Sequence, residues 1–420
     1  MKKIPFLERA IMKLKVYSII LFLNSYLSGL LVPILSLLLM DKGASLSDLS
    51  IILGLYAFTV IILEIPTGII ADVFGRKKSF CISIIISIMS LGTLLLANGV
   101  IFLCLGMILY GCSRALASGS FDALIIDYYI DKYGKDKLHN ITTRLSVLEA
   151  LGMSAGALSG GFLPKISNAY FPAIGMYDLN IIIRLILAVT VAILSFIFII
   201  ETQKIESKEK RITLKQHIKN SSLIVTKNNT VICIFISVFS TGFFLSSLET
   251  YWQPHFITLL PSKELMGLLG LMAFLYFAAA TFGSIASNKI IKKYKFDPKK
   301  MYVIIRTLLA ASLILTALQT SVPMFIGLYS SIYLLFGLAN IPEGVILNNE
   351  IPSEIRASVL SVNSLIMQVG GLSGSLLYSI IINYVSIPTI WMIAAGIVLL
   401  TVLIISKKLL SKSYTEEKTP

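Results

Sequence analysis

Charge is scarce in this chain of 420 residues: only 14% of them are Asp, Glu, Lys or Arg, whereas a soluble domain carries about 25%. Hydrophobic residues make up 56% of the sequence, and the mean hydropathy is +0.85. So few charges cannot cover the water-facing surface of a chain this long. Soluble enzymes, fibrous proteins and disordered chains are therefore excluded. The apolar runs are continuous, which also excludes the alternating strands of a membrane β-barrel.

Cysteine and histidine are rare as well, with 4 and 3 residues. The cysteines, at positions 81, 104, 112 and 233, fall in apolar stretches, and no CxxC or Cys–His spacing occurs. Such isolated residues are typical of buried packing positions. We therefore predict no metal site, no disulfide and no bound cofactor.

Twelve apolar stretches account for most of the chain, and each is close to the roughly 20 residues that a membrane-spanning helix needs. The sequence predicts an all-α membrane protein with twelve transmembrane helices in two six-helix bundles, at 1–200 and 230–406, joined by a cytoplasmic linker at 201–229 and followed by a cytoplasmic tail at 407–420. The first stretch follows a basic tail and is too long for a signal peptide, so we expect it to be a span. The predicted spans are 16–40, 49–71, 79–97, 100–125, 142–163, 180–200, 230–251, 264–287, 301–320, 323–347, 357–384 and 387–406.

Basic residues are distributed asymmetrically between these stretches. The net charge is +14. If the N-terminus lies inside, 29 of the 36 Lys and Arg residues fall on the inner side, and only Lys42, Lys165 and Lys263 lie outside. This distribution follows the positive-inside rule and predicts that both termini are cytoplasmic. The basic charge therefore indicates topology, and a nucleic-acid partner is not expected.

The two halves carry a weak internal repeat. The segment 68–72 at the end of the second stretch resembles 283–287 at the end of the eighth, and 156–160 resembles 370–374. Paired halves of this kind are common in transporters. Asp72 and Arg114 have no counterparts in the second half, so we expect the coupling chemistry to be concentrated in the first.

A motif of glycine and charged residues lies between the second and third stretches. The pattern Gly68-x3-Asp72-x2-Gly75-Arg76-Lys77 resembles the signature of the major facilitator superfamily. This resemblance implies a secondary transporter that works by alternating access. Gly68 would allow close helix packing, and Asp72 would act as a latch by accepting hydrogen bonds from a helix N-terminus near 353–358. The alternative interpretation is a basic turn that only sets the topology.

A glycine motif lies in the fifth stretch. It is similar to the glycine motif of the superfamily's antiporters, with Ala157 in place of the proline. Its small residues predict tight helix packing, and we expect the partner to be a helix of the other half. Generic packing without a functional role is the alternative. The motif residues are Gly152, Gly156, Gly160 and Gly161.

Arg114 lies in the fourth stretch, about 11 residues or roughly 16 Å from its cytoplasmic end. An arginine at this depth in the bilayer costs several kcal/mol of free energy unless it is paired with an acid or hydrated, so it predicts a functional site. Arg114 resembles the arginine of the antiporter motif R-x-x-Q-G, although Ala117 replaces the glutamine. We predict a proton-coupling set in which Glu64 is the first choice, Glu149 the second, and Asp122 a further candidate. A structural ion pair is the alternative for Arg114, and a helix end is the alternative for Asp122.

Polar and aromatic residues predict where a substrate cavity lies. Pro33 and Pro66 interrupt the first two stretches, which is tolerated where a helix lines a cavity. Aromatic residues at 243–252 and 274–277 either bind an apolar substrate or pack in the interior. We expect Arg184 and Glu249 to be solvated near the outer interface, and Arg306 to snorkel toward the inner one. The predicted cavity residues are Asn24, Tyr26, Tyr56, Asn340 and Glu343.

The motifs favour one function over several others. No GxxxxGK[ST] loop or clustered nucleophile and base is present, so neither an ATP-driven pump nor an enzyme is expected. We predict a monomeric transporter of the bacterial cytoplasmic membrane that uses the proton gradient to export an amphipathic drug or toxic small molecule. Its acidic residues favour a cationic or neutral substrate. The alternatives are proton-coupled uptake of a nutrient, export of one specific metabolite or siderophore, and a scaffold or receptor built on a transporter fold.

Overall fold

The computed structural model describes residues 6–118, 120–134, 138–201, 228–352 and 355–411. This part of the chain contains fourteen α-helices and a short 3₁₀ helix at Lys263–Gly267. The helices are α1 (Phe6–Gly29), α2 (Leu35–Asp41), α3 (Leu46–Phe74), α4 (Arg76–Leu95), α5 (Val100–Ala117), α6 (Phe121–Tyr133), α7 (Leu138–Tyr170), α8 (Asp178–Phe198), α9 (Asn229–Leu259), α10 (Leu268–Tyr294), α11 (Pro298–Ala317), α12 (Val322–Glu350), α13 (Arg356–Ile381) and α14 (Ile387–Ser411).

The helices confirm the predicted all-α membrane fold. Eleven helical segments of the described residues are long and apolar enough to cross a membrane. The remaining predicted span, 16–40, is divided between α1 and α2 by a turn at 30–34 that contains Pro33. Proline has no amide hydrogen and clashes with the preceding helical turn, which explains the break.

The fourth predicted span differs from its expected form. The sequence predicted an end near residue 125, but the chain breaks between Ala117 and Phe121 and then continues in α6 to Tyr133. Asp122 therefore lies in the first turn of α6, so it begins a new helix and does not terminate the fourth span as the alternative interpretation predicted. Short polar residues at 118 and 120 suit such a break, because their side chains compete with the helix for backbone hydrogen bonds.

The chain forms two compact units. The first contains α1–α8 together with residues 261–274, and the second contains 228–260 and everything from Leu275 to the end of the described chain. Most of the predicted linker, at 202–227, and the end of the predicted tail, at 412–420, lie outside the described residues. The predicted bundle boundaries therefore stay predictions.

Each unit uses the same pattern of helix pairs. In the first unit, α1 packs on α7 and α8, and α4 packs on α5 and α8. In the second, α9 packs on α13 and α14, and α11 packs on α12 and α14. These pairs are equivalent when the halves are aligned in chain order, which is the structural counterpart of the weak sequence repeat.

Glycines bring the paired helices into backbone contact. Gly152 and Gly156 of α7 face the backbone of α1, and Gly160 faces Leu30 directly after it; a Cβ on Gly156 would overlap the carbonyl oxygen of Tyr26. The expectation that these residues pack against the other half is therefore wrong for all three. Gly161 instead meets Gly270 in the first turn of α10. The close approach to α1 requires residues without a side chain.

The second unit repeats this arrangement between α9 and α13. A Cβ on Gly370 would overlap the backbone carbonyl of Phe239, and one on Gly242 would overlap that of Met367. Gly370 begins the segment that sequence comparison aligns with 156–160. The repeat therefore preserves the small residues that the close helix pairs need.

Candidate functional site

A polar cavity of about 230 Å³ lies in the first unit at the break between α5 and α6. Five of its nine lining residues are polar or charged, which is unusual for the interior of a membrane bundle. The cavity is lined by Leu21, Asn24, Phe80, Arg114, Ala117, Ser118, Phe121, Asp122 and Glu149.

The helix break places these charges next to each other. Arg114 lies in the last turn of α5, and Asp122 lies in the first turn of α6. Glu149 enters from α7 and Asn24 from α1. A continuous helix would separate residues 114 and 122 by about two turns, or roughly 12 Å. The break lets both side chains line one cavity.

Aromatic packing supports the cavity from α4 and α6. The rings of Phe80 and Phe121 stack with centroids 4.4 Å apart at an angle of 9°. Tyr17 packs edge-on against Phe121 at 6.3 Å, and all three residues are buried. This apolar layer covers one side of the cavity, while Arg114 is exposed and Asp122 and Glu149 are partly buried.

The two carboxyl groups of the cavity are hydrogen-bonded to each other. Asp122 and Glu149 share this bond, and Arg114 interacts electrostatically with both. A hydrogen bond between two carboxyl oxygens forms only when one of the two acids carries a hydrogen, so the pair has the chemistry to hold a proton. The guanidinium group favours the charged form of the same acids. The arrangement can therefore bind and release a proton.

The sequence had placed Glu64 first among the coupling acids. Glu64 lies on α3, is exposed, and does not line this cavity. The structure instead brings Glu149 and Asp122, the second and third choices, to Arg114. The proximity of Asp122 and Glu149 could not be predicted from the sequence, because the apolar pattern of the fourth span does not show where its helix breaks.

The predicted cavity residues of the first unit have different surroundings. Asn24 lines the cavity. The hydroxyl group of Tyr26 is hydrogen-bonded to that of Ser159, at 2.8 Å, and Tyr56 stacks on Tyr110 with centroids 5.3 Å apart. Asn24 is therefore placed at the site, whereas the two tyrosines connect neighbouring helices.

Arg184 is buried, with 3% of its surface exposed, so the expected solvated position near the outer interface is wrong. Its guanidinium carbon lies 4.7 Å from the centroid of the Tyr110 ring, in cation–π geometry. The Tyr110 hydroxyl group is hydrogen-bonded to Arg184 and Ser28. Arg184 thus connects α8 with α5, and Tyr110 connects α5 with α1.

The basic turn of the signature motif is anchored within the first unit. Arg76 forms an ion pair with Asp127 of α6. The backbone amide of Lys77 donates to the Glu201 carboxylate at 3.3 Å, and its ammonium group donates to the Phe196 carbonyl oxygen at 3.0 Å. The turn therefore connects α4 with α6 and the end of α8. The sequence offered no indication of this partner for Arg76, because Asp127 lies 51 residues away along the chain.

The structure tests the two glycines of the signature motif, Gly68 and Gly75, but not the contact proposed for Asp72. A Cβ on Gly68 would meet no atom within 4 Å in the described part of the chain, so the expected close helix approach at Gly68 is wrong for this structure. Gly75 has a φ of 108°, which only glycine adopts readily. The structure does not describe the side chain of Asp72. It also does not describe residues 353–354 of the helix N-terminus expected to bind it. The latch itself stays a prediction.

Glu343 belongs to a polar network in the second unit. It is hydrogen-bonded to the Tyr302 hydroxyl group and the Asn363 amide, each at 3.1 Å. Asn340 lies one turn earlier on α12 and is exposed. Asn340 and Glu343 therefore stay predicted substrate-cavity residues, and Glu343 is hydrogen-bonded to other residues of the second unit.

Arg306 is buried, with 1% of its surface exposed. It donates to the carbonyl oxygen of Ser237 at 2.8 Å and to the hydroxyl group of Ser240 at 2.9 Å. The prediction that Arg306 snorkels to the interface is therefore wrong. Its partners on α9 were not recognisable in the sequence, because serine in an apolar stretch is a common packing residue.

Comparison with known proteins identifies the family. The model of the Major Facilitator Superfamily matches residues 17–295 and 255–420. The chain therefore belongs to the Major Facilitator Superfamily, and it is a multi-pass membrane transporter and not an enzyme.

Individual relatives are distant. The chain is 22% identical to the uncharacterized MFS-type transporter YxaM of Bacillus subtilis over 381 residues, which are 90% of this chain and 91% of that protein. It is 26% identical to the quinolone resistance protein NorA of Staphylococcus aureus over 153 residues, which are 36% of this chain and 38% of NorA. The crystal structure of the nucleoside transporter NupG is similar in fold, with a TM-score of 0.77 at 14% identity, covering 94% of this chain and 98% of NupG.

Proposed function

We propose that this transporter exports an amphipathic cationic or neutral small molecule in exchange for protons. The observation that carries this proposal is the hydrogen-bonded pair of Asp122 and Glu149 beside Arg114 in a polar cavity. The partial match to the quinolone resistance protein NorA supports export of a drug-like compound. The proton gradient supplies the energy, and both termini lie in the cytoplasm.

The proposed cycle follows from the chemistry of the pair. When the cavity is open to the outside, the pair takes up a proton, and its net charge with Arg114 approaches zero. When the cavity opens to the cytoplasm, Arg114 and entering water favour the ionised acids, and the proton leaves. Coupling requires that substrate and proton bind preferentially to different states of the protein. All of these groups belong to one chain, so a monomer suffices.

The first test is a growth-inhibition panel in an efflux-deficient bacterial host. Cells with the wild-type protein are expected to tolerate amphipathic cations or neutral drugs better than cells with an empty vector, and Glu149→Gln should abolish the difference. Asp131→Asn is the matched control, because Asp131 is an exposed acid of α6 that pairs with Lys132 outside the cavity.

The outcomes separate the proposal from its alternatives. Protection by the wild-type protein and Asp131→Asn, but not by Glu149→Gln, supports proton-coupled export. Increased sensitivity with the wild-type protein indicates uptake and contradicts export. If protection is confined to one metabolite or siderophore, the transporter is a specific exporter and the drug assignment is wrong.

A further inference from the structure

Arg184 is a buried cation of the first unit that the proposed proton site does not use. It is the seventh residue of α8, about 9 Å along the helix from Asp178, and only 3% of its surface is exposed. A charged side chain inside a spanning helix is stable only when another group compensates its charge. Arg184 therefore needs a negative partner in its immediate surroundings.

The acids of the first unit that lie in or next to its spans have other partners. Asp178, the one acid of α8, forms an ion pair with Lys42 at 2.9 Å. Asp122 and Glu149 interact with Arg114. None of the ion pairs in the described ranges contains the arginine of α8. Its positive charge thus has no acidic partner in this part of the chain.

Two nitrogen atoms of the same guanidinium group lack hydrogen-bond partners. Arg184 contacts the ring and the hydroxyl group of Tyr110. Its Nε and Nη1 atoms are buried, and neither is hydrogen-bonded to any residue that the structure describes. Buried polar atoms in proteins are hydrogen-bonded as a rule, and a guanidinium group can only donate. The two nitrogens therefore mark a place for an acceptor.

The surroundings of Tyr110 favour a charged acceptor over a neutral one. Tyr110 interacts electrostatically with Arg114 as well as Arg184, and its hydroxyl group is hydrogen-bonded to Ser28. Its ring stacks on Tyr56 with centroids 5.3 Å apart. This environment supplies two cations, hydroxyl groups and aromatic rings. A water molecule would satisfy the free N–H groups but would leave the buried charge uncompensated.

The buried arginine of the second unit has a different environment. Arg306 is 1% exposed, and it donates to the Ser237 carbonyl oxygen and the Ser240 hydroxyl group. It also interacts electrostatically with Glu343. Arg306 therefore obtains hydrogen bonds and a negative charge from its own unit. Arg184 has no such acid, which makes it the better site for a bound anion.

Charge and enclosure limit which anion fits. One uncompensated positive charge requires one negative charge, and a divalent anion such as sulfate would leave an excess of buried charge. Because Arg184 is enclosed on nearly all sides, a large organic anion would not reach the free nitrogens. A monatomic monovalent anion satisfies both conditions.

We propose that Arg184 binds a small monovalent anion and that chloride is its ordinary occupant. Nε and Nη1 donate charge-assisted hydrogen bonds to the ion, and the ring of Tyr110 positions the guanidinium group through its cation–π contact. The bound anion is the counter-ion that stabilises the charge within the span. This inference does not rest on the proposed export function, because the proton pair interacts with Arg114 and not with Arg184.

The first experiment measures the melting temperature of the purified protein in detergent. Sodium chloride is titrated against sodium gluconate at constant ionic strength, so that only the size and nature of the anion change. Arg184→Met removes the charge, and Arg184→Lys keeps it. Arg306→Met is the matched control, because it removes a buried arginine that has partners in its own unit.

We expect chloride at about ten times its dissociation constant to raise the melting temperature of the wild-type protein by about 3 °C. Arg184→Met should melt at the same temperature in both salts. Arg184→Lys should keep the response but need several-fold more chloride, since an ammonium group lacks the planar fork of arginine. Arg306→Met should melt at a lower temperature and keep the full chloride response.

A second measurement uses the wild-type protein alone. Crystals grown or soaked in sodium bromide should show an anomalous-scattering peak within hydrogen-bonding distance of Nε or Nη1 of Arg184. This measurement decides the question if Arg184→Met does not fold.

Three results would overturn the inference. Equal melting temperatures of the wild-type protein in chloride and gluconate would mean that water satisfies the free nitrogens. An undiminished chloride response in Arg184→Met would place the anion elsewhere, and so would the absence of a bromide peak at Arg184. None of these results bears on proton coupling, which is read from proton movement in Glu149→Gln.

Discussion

Replacing Gly156 by alanine tests how closely α7 and α1 pack. The added Cβ would overlap the Tyr26 carbonyl oxygen and lie 3.1 Å from the Gly29 Cα atom, so the helices must separate. Overpacking of this kind costs about 1–3 kcal/mol, and contact with rigid backbone argues for the upper end. Alanine regains about 1 kcal/mol of helix propensity over glycine. The net loss of stability is therefore about 2 kcal/mol.

The matched control is Gly92→Ala in α4, where a Cβ would meet no atom within 4 Å. Helix propensity should leave that variant unchanged or slightly more stable. At about 2 °C per kcal/mol, Gly156→Ala should melt about 4 °C below the wild-type protein in detergent at one fixed scan rate. Equal melting temperatures for the two variants would refute the close packing of α7 on α1.

Three further predictions concern buried charge, the basic turn and topology. Arg306→Met should lower the melting temperature by several degrees, because each lost charged hydrogen bond costs about 1.5–3 kcal/mol; no change would mean that the arginine is solvated after all. Asp127→Ala should destabilise the protein by no more than about 1 kcal/mol, since its ion pair with Arg76 is partly exposed, and the charge-swapped double variant of this pair should recover the loss. Cysteines introduced at Asn98 and Ser207 should react with a membrane-impermeant reagent from outside and from inside, respectively; the opposite pattern would reverse the topology.

Apolar length and charge were sufficient to predict the fold. Long runs and the inner-side excess of Lys and Arg depend on the energetics of the bilayer, which act on each segment separately. The helix partners of Gly152, Gly156 and Gly160 could not be predicted in the same way. Small residues show that a helix approaches another closely, but they do not show which one.

The candidate site was only partly predictable. Arg114, Glu149 and Asp122 were recognised because an ionisable residue in an apolar stretch has a high cost. Their grouping depends on the break after α5, which was not anticipated. Glu64 ranked first because it lies on the same helix as the signature motif, next to Pro66. Arg306 was misplaced for a similar reason: its partners lie on α9, about 66 to 69 residues away. Sequence spacing carries no information on such contacts.

The central claim is that the pair of Asp122 and Glu149 carries the coupled proton. The most direct test is substrate-induced proton movement in proteoliposomes under an imposed pH gradient, compared for Glu149→Gln, Asp122→Asn, the double variant and the control Asp131→Asn. The double variant should bind substrate but neither move protons nor accumulate substrate against its gradient, while Asp131→Asn should match the wild-type protein. Accumulation by the double variant at the wild-type rate would contradict the claim and place the coupling acid elsewhere, with Glu64 and Glu343 the next to be tested.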